Sequence, residues 1–150
     1  MLHAIAFLLH EIADENRMLV TAATAVVVAQ VLKFFVSSLR NRTILSERLF
    51  SSGGMPSAHS AMVTSLATAV GSTHGWHSDL FAVVAVFSVI VLYDAVNIRY
   101  AVGQHSRFLN SLLGRNEDGS SEFKEQLGHT PQEIVAGAVL GVIIATLYYL

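Results

Sequence analysis

The stretch LFAVVAVFSVIVLYDAVNI, residues 80–98, decides the fold class. It holds one charged residue, Asp94, and it has close to the ~20 apolar residues that carry a helix across bilayer hydrocarbon. Three further segments have the same character: residues 18–39, 56–73 and 131–150. Over the 150 residues, 53% are hydrophobic and only 13% are charged. A soluble domain carries roughly a quarter charged residues. Mean hydropathy is +0.53. These features predict an all-α integral membrane helix bundle with about four transmembrane helices, forming one membrane-embedded domain over residues 1–150. Ahead of it, Leu2, Ile5, Leu8, Leu9 and Ile12 recur at helical spacing beside Glu11, Asp14 and Glu15. Residues 1–16 therefore read as a short amphipathic helix at the membrane surface, and the missing basic start argues against a secretory signal.

The segments differ in ways that assign positions. Residues 56–73 are the shortest run and the richest in Ala, Ser and Thr, which places them inside the bundle, where small residues allow close approach. Gly137 and Gly141 give the last segment a small-xxx-small face, used either within the chain or in a homodimer. The net charge of −2 selects no partner, and no nucleic-acid partner is expected. The lack of cysteine excludes disulfides and thiolate metal sites.

Basic residues set the topology. Arg40, Arg42 and Arg48 follow the first segment, and Arg99, Arg107, Arg115 and Lys124 follow the third, whereas residues 71–79 contain none. The positive-inside rule puts loops 40–55 and 99–130 in the cytoplasm; Arg17 stands apart, beside Asp14 and Glu15. Polar residues from all four segments then converge on one rim.

On that rim lies Gly53-Gly54-Met55-Pro56-Ser57-Ala58-His59-Ser60-Ala61. Proline suits a first helical turn, whose N–H groups and dipole attract anions. Upstream glycines let backbone approach a ligand. His59, one turn in, can move protons near neutral pH. Ser57 and Ser60 can donate hydroxyls to phosphate oxygens or simply cap the helix. Thr130-Pro131-Gln132-Glu133 forms a capping box, with His129 just outside that helix start. Glu133 is either only a cap or an orienting carboxylate. Gln30, Lys33, Ser37 and Arg40 share one face of the first segment; Lys33 either binds phosphate or snorkels to the interface. Asp94, inside an apolar run, needs a partner, with Lys33, Arg99 and His129 as the choices. His105, in the long loop, is a second histidine candidate. His59, His129 and Asp94 include metal-ligand types, but their spacing does not ask for a metal.

Residues 53–61 together with Leu127-Gly128-His129-Thr130-Pro131 and Ala136-Gly137 resemble the divergent, bacterial and plastid branch of the type-2 phosphatidic acid phosphatase family, which is related to acid phosphatases and vanadium-dependent haloperoxidases. The resemblance runs from about Val20 to Leu150. It implies that Pro56, Ser57 and His59 fill a Pro-Ser-Gly-His motif, with Ala58 for glycine. His129 and Glu133 keep the spacing of nucleophile and acid, with glutamate for aspartate. Lys33 and Arg40 match Lys-x6-Arg, with Asn41 for the following proline. Arg99 and His105 match Arg-x5-His, with Ile98 for serine and Leu109 at the acid position. The nucleophile is therefore His129 or His105.

The implied activity is a metal-independent and cofactor-independent histidine phosphatase acting on a lipid or isoprenoid phosphate. This reading favours His129 over His105 as the nucleophile and makes His59 the acid, with Glu133 or Asp94 orienting. Lys33, Arg99, Gly53, Gly54, Ser57 and Ser60 hold phosphate. The implied setting is a bacterial inner membrane or plastid membrane, with the site on the cytoplasmic or stromal face. A non-catalytic membrane protein that binds or moves an anionic lipid or phosphate would use the same cradle.

Overall fold

The computed structural model describes residues 16–41, 54–113, 123 and 129–150. The expected helix over residues 1–16 falls almost wholly outside them, as do Gly53 and the side chains of Arg40 and Arg99. Among the described residues there are five helices and no strand: α1 (Arg17–Asn41), α2 (Ala58–His74), α3 (Asp79–Val96), α4 (Ile98–Leu113) and α5 (Pro131–Tyr149). The chain is an integral membrane helix bundle. Three stretches are long and apolar enough to cross a membrane: Arg17–Leu39, Asp79–Leu113 and Pro131–Tyr149. The expected fourth, α2, has 17 residues and sits among the others, packed on α1, α3 and α5.

Contacts at the helix ends fix the directions. Arg17, opening α1, stacks its guanidinium 5.6 Å from the rings of Tyr148 and Tyr149, which close α5. This cation–π contact gives the lone basic residue of that rim a partner. At the other rim, the Ser57 N–H donates to the Glu133 carbonyl (3.0 Å) and the His129 N–H to the Ala95 carbonyl (3.3 Å). The starts of α2 and α5 therefore meet the end of α3. α2 and α5 run parallel, and α1 and α3 run against them.

The bundle is built inside out relative to a soluble protein. Its core is small: Ala25, Ala29 and Ala61, flanked by Ala58, Leu140 and Ile144. Large apolar groups such as Val83, Val89, Ile90, Val139 and Leu147 point outward. Lipid tails solvate such groups, so helix contact rests on close packing and hydrogen bonds instead. Gly137 and Gly141 show this. A Cβ at Gly137 would strike the Ser57 carbonyl oxygen, and one at Gly141 the Ala61 carbonyl oxygen and Thr64 Oγ1. The small-xxx-small face is thus occupied within the chain, by α2. Thr64 Oγ1 donates to the Ala138 carbonyl (3.1 Å), and Ser88 Oγ donates to the Val63 carbonyl (3.1 Å).

Two local expectations need correction. Helix α2 starts at Ala58, with Ser57 as its N-cap, so Pro56 lies before the cap and not in the first turn. Serine wins because its side-chain oxygen can take the Ser60 N–H (3.3 Å). Residues 98–113, read as part of a loop, form helix α4, which follows α3 after the single residue Asn97. His105 and Arg107 therefore lie on a helix.

Candidate active site

The rim where α2 and α5 start carries most of the polar candidates. Their arrangement follows from two helix caps. At α5 the capping box is complete: Thr130 Oγ1 accepts from the Glu133 N–H (3.4 Å), and Glu133 Oε2 accepts from the Thr130 N–H (3.0 Å). Pro131 sets the first-turn φ without wasting a donor. His129, the residue before the cap, is thereby held against the last turn of α3 and is only 3% exposed. At α2 the cap is Ser57, and His59, two residues on, is exposed.

The two imidazoles meet. Their ring centroids are 6.3 Å apart and the rings are nearly perpendicular, at 87°. They line one cleft together with Val91, Asp94 and Ala95 of α3. Positions 91, 94 and 95 share one helical face, so α3 offers a carboxylate between two small or branched apolar groups. Val91 and Ala95 carried no polar signal; their spacing from Asp94 was the only clue to them. Asp94 thus lines the same cleft as His129, and Lys33 does not line it.

Lys33 belongs to an adjoining cluster. It is buried, at 6% exposed. Its stem lies under Gly54, where an added Cβ would come within 3.0 Å of Lys33 Cε. Gly54 has φ +111°, a conformation that also favours glycine. The Glu133 carboxylate acts electrostatically on Lys33. Glu133 thus caps α5, and its charge lies within electrostatic reach of Lys33.

Other candidates stand differently. Ser57 Oγ is engaged as the α2 cap. Ser60 is fully buried, its Cβ against Gly137, and its hydroxyl has no hydrogen-bond partner among the described residues. Both serines face the α2–α5 seam, and neither lines the cleft. His105 lies eleven residues beyond Asp94, on the exposed surface of α4, and does not line the cleft either. Among the described residues, no group of His, Asp or Glu is arranged to hold a metal ion.

A membrane helix bundle with two facing imidazoles and a carboxylate at one rim is the class defined by fold and geometry. The chain belongs to the divergent PAP2 family, whose model matches residues 14–144. It is 33% identical over 144 aligned residues to the membrane protein YuiD of Bacillus subtilis (strain 168), covering 86% of this chain and 91% of that one. No solved structure matches it.

Proposed function

We propose that this protein is a membrane-bound phosphatase that hydrolyses a lipid or isoprenoid phosphomonoester, or a diphosphate, through a phosphohistidine intermediate. The observation that carries the reading is the His59–His129 pair, two perpendicular rings 6.3 Å apart around one cleft. Membership of the divergent PAP2 family supports it.

In this reading a His129 ring nitrogen attacks phosphorus. The P–O ester bond breaks, its electron pair stays on the leaving alkoxide oxygen, and His59 donates the proton that neutralises it. Water then attacks the phosphohistidine, His59 takes its proton, the P–N bond breaks and phosphate leaves. The division of labour follows exposure. His129 is fixed by its neighbours, as suits a nucleophile, and His59 is open to solvent, as suits a group exchanging protons with water. Asp94 orients an imidazole in this reading, supported by its lining the cleft; Glu133, which caps α5, is the alternative. Lys33, Gly54, Gly53 and Arg99 supply positive potential and donors for the phosphoryl oxygens. Ser57 and Ser60 act by holding the α2–α5 seam. A site at the end of the helices suits a substrate whose phosphate sits at headgroup level, and the basic residues of the loops support the cytoplasmic or stromal face.

The test is to trap phosphohistidine after brief exposure of purified, detergent-solubilised protein to candidate lipid phosphates. Acid-labile label on residue 129, absent from His129→Ala, is the expected result. Phosphate release undiminished in His129→Ala sinks the mechanism. Tight lipid-phosphate binding without turnover would instead favour a carrier or receptor of anionic lipids.

A further inference from the structure

Helix α4 is not used by the proposed chemistry, and its surface is distributed in an unusual way. At 100° per residue, Ile98, Val102, Phe108, Leu109, Leu112 and Leu113 fall within one sector. All six are exposed, Phe108 at 64% and Leu112 at 67%. His105 shares that sector; its ring has an apolar body and a polar tip, which suits headgroup depth. A second sector holds Gly103, Ser106 and Asn110, which are buried. Asn110 pairs both ways with the backbone of Phe123, Nδ2 donating to its carbonyl (2.9 Å) and Oδ1 accepting from its N–H (3.1 Å). The third sector, with Tyr100, Gln104, Arg107 and Ser111, is exposed and mainly polar. The helix thus buries small and polar residues, Asn110 against the Phe123 backbone, and leaves large apolar ones exposed. Facing water, that choice would be reversed.

Length supports the same conclusion. The 18 residues of α3 span about 27 Å, close to the ~30 Å hydrocarbon thickness. The whole 35-residue stretch Asp79–Leu113 would span about 52 Å, too long for one crossing. Helix α4 therefore begins where the bilayer ends, continuing from a helix whose outer face is already apolar and exposed. The occupant consistent with that continuity is lipid.

We infer that α4 is an interfacial helix: it lies against the bilayer at the rim that carries the histidines, with the Ile98–Val102–Leu109–Leu112 side in the acyl region and Gln104, Arg107 and Ser111 in water. This would set the rim of the cleft at headgroup level, and it stands whether or not the protein hydrolyses phosphate.

The cysteine-free sequence allows a clean test. Single-cysteine variants Phe108→Cys, Leu112→Cys, Gln104→Cys and Ser111→Cys carry an environment-sensitive fluorophore in phosphatidylcholine/phosphatidylglycerol vesicles, with Val86→Cys on α3 as the lipid-facing reference. Labels at 108 and 112 should be quenched several-fold more by nitroxide-bearing lipid than by aqueous iodide, and labels at 104 and 111 the reverse. Equal access of iodide to all four positions would overturn the inference by standing α4 in water. Shielding of 108 and 112 from both quenchers would also overturn it, assigning the stripe to protein; loss of that shielding on dilution into excess lipid would identify a second copy.

Discussion

Helices α2 and α5 are built alike at their starts and used differently. Each has a hydroxyl N-cap, a proline within one residue of the cap and a histidine within two, and the two starts are laced together by the Ser57–Glu133 backbone bond. The difference is one of register. His129 precedes its cap, so the chain entering α5 pins it against α3 and buries it. His59 follows its cap, so it rides on the first turn and faces outward. A glutamate stands three residues after the α5 cap and closes the capping box, whereas the α2 cap has Ser60 there. A shift of three positions relative to the helix cap is what separates a buried histidine from an exposed one.

The comparison breaks most sharply at the histidines. His129→Ala should remove phosphate release almost entirely, a loss on the order of 10⁴-fold or more, as for other nucleophile deletions. His59→Ala should cost about 10²- to 10⁴-fold, the usual contribution of a general acid. The two losses should separate with leaving group. An aryl phosphate, whose phenolate leaves without a proton, should recover much of the His59→Ala activity and none of the His129→Ala activity. Steady-state rates with both substrates measure this, and equal rescue of both variants would mean that burial does not set the roles. Asp94→Asn should lower kcat with little change in KM. An equal or larger fall for Glu133→Gln would return the orienting role to Glu133.

The seam between the two helices gives the next effect. Gly137→Ala pushes a methyl into the Ser57 carbonyl, which belongs to the cap that carries His59. Overpacking of this kind costs about 1–3 kcal/mol. Thermal unfolding in detergent should show the loss, with activity falling beside it because the two starts no longer meet. A Gly137→Ala protein of unchanged stability would mean that α2 and α5 do not pack this tightly.

Much of this plan was legible in the residues, for identifiable reasons. Apolar length marked α1, α3 and α5, and the Ser/Thr/Ala content of α2 marked it as the interior helix. Thr130-Pro131-Gln132-Glu133 announced its capping box because each residue type answers a specific orphan donor of a helix start. The meeting of His59 with His129 followed from charge asymmetry and from the motifs, which put both on one rim. Helix α4 is hard to read in the residues because Gln104, His105 and Arg107 interrupt its hydropathy, so its apolar stripe, repeating every three or four residues, forms no continuous run. The Lys33–Glu133 approach was also hidden. Asp94, the acid inside an apolar segment, draws the expectation of pairing with Lys33, Arg99 or His129, while Glu133 reads as a cap or as a carboxylate that orients a histidine. The packing of α1 against α2 and α5 is what brings Lys33 within electrostatic reach of that carboxylate.

That shared position gives the smallest effect and the finest test. Thr130→Ala removes the α5 cap acceptor, which typically costs about 1 kcal/mol. The Glu133 carboxylate keeps its charge near Lys33, so the cation stays accommodated. Glu133→Gln does the opposite: glutamine still fits a capping box, but the buried Lys33 loses its nearby negative charge. If Glu133 were only a cap, Thr130→Ala would be the more damaging change. If it also serves Lys33, Glu133→Gln should destabilise the protein more, and Lys33→Met should offset part of that loss in the double variant. Unfolding of the three single variants and the double variant in one detergent decides between these. Additive losses for Glu133→Gln and Lys33→Met would show that the two side chains act independently, leaving the α5 start different from the α2 start in its cap alone.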